Sequence, residues 1–280
     1  MSGQAIDRYC VIGNPIGHSR SPDIHAAYAA ATGQVLAYER CLAPVDGFAA
    51  TVQGLVANGY RGANVTVPFK LQAYELATVR TERAEAAGAV NTLLFVGGQI
   101  HADNTDGAGL VNDILRNAAV AIAGKRVLML GAGGAVQGCI LPILQQGPAS
   151  ITIVNRTRAT ADALVARFAA AAEGRIGALD YADLDRPVDG AYDIVINGTS
   201  ASLGDTMPPV PAAVFAPHTL ALDMMYASKP SRFMAFAAEH GATVRDGLGM
   251  LVEQAAEAFF LWRGVRPQTD IVLNRIRSSL

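Results

Sequence analysis

Cysteine is scarce in this sequence and forms no pattern. Cys10, Cys41 and Cys139 are odd in number, far apart along the chain and without a Cys-x-x-Cys pair. Neither a disulfide framework nor a zinc site is suggested, and the three thiols read as packing residues. The five histidines, His18, His25, His101, His218 and His240, lack the i, i+4 spacing of a helical metal pair and have no carboxylate cluster beside them, so no metal is expected. Long apolar runs are missing too, and MSGQAIDRYC carries an acid where a secretion signal would be apolar. The expectation is no membrane and a cytoplasmic protein. Charge of one sign is also absent: 22 Lys plus Arg stand against 24 Asp plus Glu, a formal charge of -2, with no basic cluster interleaved with aromatics. Nucleic acid is not an expected partner. There is no internal repeat, low-complexity tract or Pro/Ser-rich linker.

What is present is a large apolar fraction arranged in alternation. With 51% hydrophobic and 16% charged residues over 280 positions, the chain can bury a large core and is long enough for two domains. Tyr9 to Gly13, Leu36 to Leu42, Gly59 to Val65 and Asn91 to Val96 read as strands, with amphipathic stretches at Pro22 to Thr32, Gly47 to Asn58 and Phe69 to Ala77 between them. That βαβ pattern predicts a largely parallel sheet. A second series runs through Arg126 to Leu130, Ser150 to Val154, Arg175 to Leu179, Asp193 to Ile196 and Leu220 to Met224, with a helical stretch at Arg158 to Ala172. Two sheets imply two domains. The junction is placed on the helix that follows DNTDG, and Leu248 to Trp262 reads as a long helix.

Polar residues cluster on the short turns of the first series, in NVTVPFK (Asn64 to Lys70), GAVNT (Gly88 to Thr92) and DNTDG (Asp103 to Gly107). Such turns are where a rigid scaffold holds reactive groups. Taken alone, Lys70 reads as a solvated amine on the first turn of a helix and Asp106 as a helix N-cap. Ser21, before Pro22, is either a cap or an anion ligand at a helix N-terminus. GAGGA (Gly131, Ala132, Gly133, Gly134, Ala135) lies between a strand and a helix, where glycine lets a backbone approach a pyrophosphate. Its sixth position is Val136, outside the strict G-x-G-x-x-G/A pattern, so it also reads as a plain strand-to-helix turn. The next strand ends in Asn155, Arg156 and Thr157, with no acid for a ribose 2′-hydroxyl. Guanidinium and hydroxyl donors there suit a 2′-phosphate, which favours NADP over NAD. Thr157 also reads as the N-cap of the following helix.

NVTVPFK, DNTDG, GNPIGHSRSP (Gly13 to Pro22) and DGLGMLVEQAA (Asp246 to Ala256), in a chain matched from about Tyr9 to Pro267, resemble the shikimate dehydrogenase family. The resemblance implies an α/β fold of two domains, an α/β substrate-binding domain at 1-106 and 248-280 and a Rossmann-type NADP-binding domain at 107-247, with a groove between. It implies reduction of 3-dehydroshikimate to shikimate with NADPH, on the route to chorismate and aromatic amino acids. Lys70 and Asp106 match the family's catalytic pair. Ser19 and Ser21 match serines that hold the substrate carboxylate, joined by Tyr226. Thr66, Asn91 and Gln254 match positions at the ring hydroxyls. Asn155, Arg156 and Thr157 match the NADP-binding NRT motif, and Gly249 matches a glycine that approaches the nicotinamide. Met224 either packs on the nicotinamide or belongs to the core, and His18 is expected to support the serine loop. Gly198, in NGTS, stands where alanine is more usual in the family. The resemblance leaves monomer and homodimer both open. A quinate/shikimate enzyme using NAD is the nearer alternative, and a nucleotide-binding regulatory protein with a dead site the more distant one.

Overall fold

CVIG and RVLML are apolar at nearly every position because each becomes a strand covered on both faces. The computed structural model describes residues 6–185, 190–204 and 206–280. The chain divides into two compact units, one reaching to Gly109 and taking in Val252–Ser279, the other spanning Leu110–Leu251.

The first unit carries β1 (Asp7–Gly13), α1 (Ser21–Thr32), β2 (Leu36–Leu42), α2 (Phe48–Ala57), β3 (Tyr60–Val65), α3 (Lys70–Leu76), β4 (Val79–Arg80), α4 (Glu82–Ala87), β5 (Thr92–Val96) and β6 (Gln99–Asp103). The strand order is β2-β1-β3-β5-β6-β4. Pairing is parallel for β1 with β2 and β3, and for β4 with β6, but β5 runs antiparallel to both β3 and β6. The expectation of a largely parallel sheet is therefore corrected to a mixed one. The cause is local. Gly97 and Gly98 both have positive φ, +58° and +75°, the requirement of a tight turn between antiparallel strands, and they close β5 onto β6.

On one face of this sheet Phe48 and Phe69 stack at 5.0 Å amid Val52, Ala63, Val65 and Leu93. Phe69 is fully buried and directly precedes α3. Burying that ring anchors the start of the helix, which holds Lys70 in place at its first position.

α5 (Asp106–Asn112) begins in the first unit and leads into the second, which carries β7 (Arg126–Leu130), α6 (Gly134–Leu144), β8 (Ser150–Val154), α7 (Arg158–Ala172), β9 (Ile176–Leu179), β10 (Ile194–Asn197), β11 (Leu220–Asp223), α8 (Arg232–Glu239) and β12 (Thr243–Arg245). Its sheet is parallel throughout, in the order β12-β11-β10-β7-β8-β9. The order reverses direction at β7, the crevice position where open α/β sheets bind ligands. α9 (Leu248–Arg263) returns the chain to the first unit, and α10 (Asp270–Arg277) follows. No helix among the described residues is long and apolar enough to cross a membrane.

Candidate active site

Lys70 and Asp106, 36 residues apart, meet in the first unit. Lys70 Nζ donates to Asp106 Oδ2 at 2.6 Å, with the lysine side chain 26% exposed and the carboxylate 4%. Asp106 Oδ1 accepts from Asn91 Nδ2 at 2.8 Å. Both carboxylate oxygens are thus engaged by donors, while the ammonium keeps further N–H bonds to give and a path to solvent. Asp106 is the first residue of α5 and not its cap: the Gly109 N–H bonds the Thr105 carbonyl, and Asn104 Oδ1 accepts the Asp106 N–H at 3.1 Å. Asp103, the other acid of DNTDG, is structural. It takes a bidentate pair from Arg83 at 2.6 and 2.7 Å and a bond from Thr81 Oγ1 at 2.7 Å.

Asn91 gathers the rest. Its second Nδ2 hydrogen is shared between Gln254 Oε1 at 2.7 Å and Thr105 Oγ1 at 3.0 Å, so α9 contributes Gln254 to the same cluster. Thr66 lies at the end of β3, partly buried, with its methyl against Gly13. A Cβ on Gly13 would come within 2.6 Å of that methyl. Ser19 Oγ donates to Ser21 Oγ at 3.2 Å and accepts the Ser21 N–H at 3.3 Å. Ser21 is therefore the first residue of α1 and not its cap, and the Ser19 hydroxyl bonds a free N–H at that helix end. Support for the serine loop comes from Arg40, whose Nε and Nη2 donate to the Ser19 carbonyl at 3.1 and 2.6 Å. His18 is exposed and makes none of these bonds, so the support expected of it is supplied from β2.

The GAGGA segment leads from β7 into α6. Gly131 has φ +102°, and a side chain there would press on Thr199 and the Gly198 backbone at 3.2–3.3 Å. Gly133 is the N-cap position and gives α6 no side-chain cap, so the first N–H groups of an eleven-residue helix are left for an anion. Gly131, Ala132 and Gly133 line a cleft of about 580 Å³ with Asn155, Arg156, Tyr181, Thr199 and Met207. Gly134 and Ala135 open the helix behind it. Arg156 is exposed and has no ion pair among the described residues, whereas Arg158 pairs with Asp162 at 2.9 Å and Asp180 at 3.5 Å. Burial raises the Tyr181 phenol above its ordinary range while Arg156 pulls it the other way. Thr157 stands at the N-cap of α7, but its side chain makes no capping bond, correcting the expectation that it caps the helix.

Met224 is partly buried at the end of β11 beside Gly198, where a Cβ would lie 3.2 Å from its sulfur. Tyr226 lines a separate cavity of about 330 Å³ with Lys229, Ser231 and Asp246. Both belong to the second unit. At Gly249 a Cβ would stand 1.9 Å from the Asp113 carboxylate, which the Arg245 guanidinium holds at 2.7 Å. That contact is reason enough for glycine. Asp223, not singled out by the sequence reading, is fully buried and accepts Ser202 Oγ and Ser231 Oγ at 2.6 Å each, together with the Met225 N–H at 3.0 Å. It sets the loop that carries Met224 and Tyr226. No group of residues able to hold a metal occurs among the described residues.

Three family models cover most of the chain: a shikimate dehydrogenase substrate binding domain at residues 11–93, a shikimate/quinate 5-dehydrogenase at 113–204 and a shikimate 5'-dehydrogenase C-terminal domain at 247–277. A shikimate dehydrogenase (NADP(+)) of Herminiimonas arsenicoxydans is 61% identical over 98% of each chain. The chain belongs to the shikimate dehydrogenase family. Among solved structures, an Ael1 enzyme from Pseudomonas putida is 46% identical with a TM-score of 0.92, covering 96% of this chain and 97% of that one. A shikimate 5-dehydrogenase from Thermus thermophilus, solved with NADP(H) and shikimate, is 30% identical with a TM-score of 0.86 over 98% of this chain and all of that one. Membership in the shikimate dehydrogenase family gives the clusters around Lys70 and GAGGA a common context.

Proposed function

We propose that the protein is an NADP-dependent shikimate dehydrogenase, an oxidoreductase that interconverts 3-dehydroshikimate and shikimate, with the first unit binding the small-molecule substrate and the second binding NADP. The observation that carries this reading is the 2.6 Å contact of Lys70 with Asp106, framed by Asn91 and Gln254.

The second unit suits the cofactor. Its uncapped α6 N-terminus, the open space at Gly133 and Gly134 and the unpaired Arg156 form a cradle for a dinucleotide that carries an extra phosphate. When bound, NADP supplies the hydride acceptor or donor.

The first unit handles the proton. In the reducing direction the carbonyl oxygen gains negative charge, and Lys70 delivers a proton to it while its ammonium stabilises the charge that builds. Asp106 orients that ammonium and has no oxygen free of a donor. Asn91, Gln254 and Thr66 offer amide and hydroxyl groups to ring hydroxyls, and Ser19 and Ser21 offer hydroxyls to a carboxylate at the start of α1, where the helix dipole favours an anion. Tyr226, Met224 and Gly249 belong to the second unit. The setting is cytoplasmic, as a monomer or homodimer.

A steady-state assay that crosses shikimate and quinate with NADP and NAD tests the reading. Highest kcat/KM for shikimate with NADP is expected. A preference for quinate with NAD would replace it with the quinate-dehydrogenase reading.

A further inference from the structure

Tyr38 and His25 have no place in the chemistry above, yet they adjoin it. Tyr38 lies on β2 and reaches across β1, and its hydroxyl donates to Asn64 Oδ1 on β3 at 2.7 Å. From there a series of hydrogen bonds runs to the proton-transfer pair. Asn64 Nδ2 donates to Thr92 Oγ1 at 3.1 Å, Thr92 Oγ1 donates to Asn91 Oδ1 at 2.9 Å, and Asn91 Nδ2 donates to Asp106 Oδ1 at 2.8 Å.

The direction of this series is settled by two backbone groups that can each play only one part. Asn64 Nδ2 also donates to the Asn91 carbonyl at 3.2 Å, a pure acceptor, which turns Asn64 Oδ1 towards Tyr38. Asn91 Oδ1 accepts the Thr105 N–H at 2.8 Å, a pure donor, which turns Asn91 Nδ2 towards Asp106. Every bond therefore points the same way, from the phenol to the carboxylate, the arrangement in which each donor polarises the next.

His25 explains why the phenol stays put. Its ring stacks on Tyr38 with centroids 4.2 Å apart and planes 9° from parallel, and it is fully buried. Neither ring nitrogen has a hydrogen-bond partner among the described residues. Burial pushes its pKa down to about 3, against a weaker pull from the nearby Asn64 side chain, so the imidazole is a neutral plate at working pH. It does not compete for the phenolic proton. Burial holds the Tyr38 phenol well above its ordinary range, against a weaker pull from the Ser21 hydroxyl, so its proton is there to give to Asn64.

We propose that Tyr38 is a positioning residue, whose hydroxyl acts through Asn64, Thr92 and Asn91 to hold the Asp106 carboxylate in register with Lys70. This rests on the assignment of Lys70 and Asp106 to proton transfer.

The test is a double-mutant cycle of Tyr38→Phe and Thr92→Val, two changes that remove a hydroxyl and keep the shape, at positions that the series joins through Asn64. Each single change is expected to lower kcat for shikimate oxidation by about tenfold, the size of one lost hydrogen bond, with KM for NADP unchanged. The double mutant should be no slower than the slower single one, because one break already interrupts the series. A product of the two effects, about a hundredfold, or a wild-type kcat for Tyr38→Phe, would overturn the proposal. Far-ultraviolet circular dichroism reports whether each variant is folded, since Trp262 lies against Tyr38 and its emission would move with the substitution itself. Should the unmodified protein fail to oxidise shikimate with NADP, the functional reading falls. The coupling is then read from thermal midpoints of the same four proteins, where additive losses would overturn the proposal.

Discussion

A methyl group placed on Gly198 would stand 2.4 Å from Val136 Cγ2. The two positions are the two departures from pattern in the second unit: valine where the glycine fingerprint ends in Gly or Ala, and glycine at a loop position where the resemblance leads one to expect alanine. They fit each other. The branched side chain at the start of α6 fills the space that a Cβ after β10 would need.

Gly198→Ala alone should therefore be overpacked, at a cost of about 1–3 kcal/mol, and should weaken NADP binding by disturbing the floor of the cleft. Val136→Ala with Gly198→Ala should recover both the thermal midpoint and the affinity. A double variant less stable than Gly198→Ala by the full cost of Val136→Ala alone would show that the two sites are independent.

Arg156 has no carboxylate partner among the described residues, so its charge is available to a 2′-phosphate. A charge-assisted bond of about 1.5–3 kcal/mol corresponds to a preference for NADP over NAD of about tenfold to a hundredfold. Arg156→Ala should shrink that preference mainly through the NADP dissociation constant, measured by titration. Equal affinity for the two cofactors in the unmodified protein would remove Arg156 from this role.

Gly249→Ala should be severe, since the new Cβ would displace the buried Asp113 carboxylate from Arg245. Breaking a buried ion pair typically costs about 3–5 kcal/mol. A clear drop in the thermal midpoint is expected, and an unchanged midpoint would mean that the start of α9 yields easily.

Stability should also depend on pH through Asp7, whose carboxyl is held below its ordinary range chiefly by the hydrogen bond from Arg263. A depressed folded-state value makes the ionised form stabilising above the unfolded value, about 3.9. That contribution is lost as pH falls through the folded value. Asp7→Asn should lower the thermal midpoint at pH 7 and match the unmodified protein at the acid end of the titration. A gap that persists unchanged into strong acid would contradict the assignment.

Much of this was legible in the sequence because it rests on local signals. Leu36–Leu42, Arg126–Leu130, Ser150–Val154 and Arg158–Ala172 come out as read, since apolar runs and helical periodicity mark them directly. Lys70 and Asp106 could be paired only through the family resemblance, because nothing local ties residues on two separate turns. The β5–β6 hairpin was missed although two adjacent glycines between apolar runs announce it, and with it the mixed character of the first sheet. α8 and α10 were also missed; α10 in particular is short and polar, with few apolar positions to reveal its period. Tyr38 was unreadable for a different reason. Its partner Asn64 lies on a strand beyond its neighbour, so the contact exists only once β2, β1 and β3 are laid side by side.

Proton transfer is proposed for Lys70, with Asp106 holding its ammonium in position. It is tested most directly by kcat for shikimate oxidation in Lys70→Ala, with the NADP dissociation constant measured on the same preparation. A fall of about 10²–10⁴-fold in kcat is expected, with cofactor affinity within about twofold of the unmodified protein. A rate equal to that of the unmodified protein would contradict it.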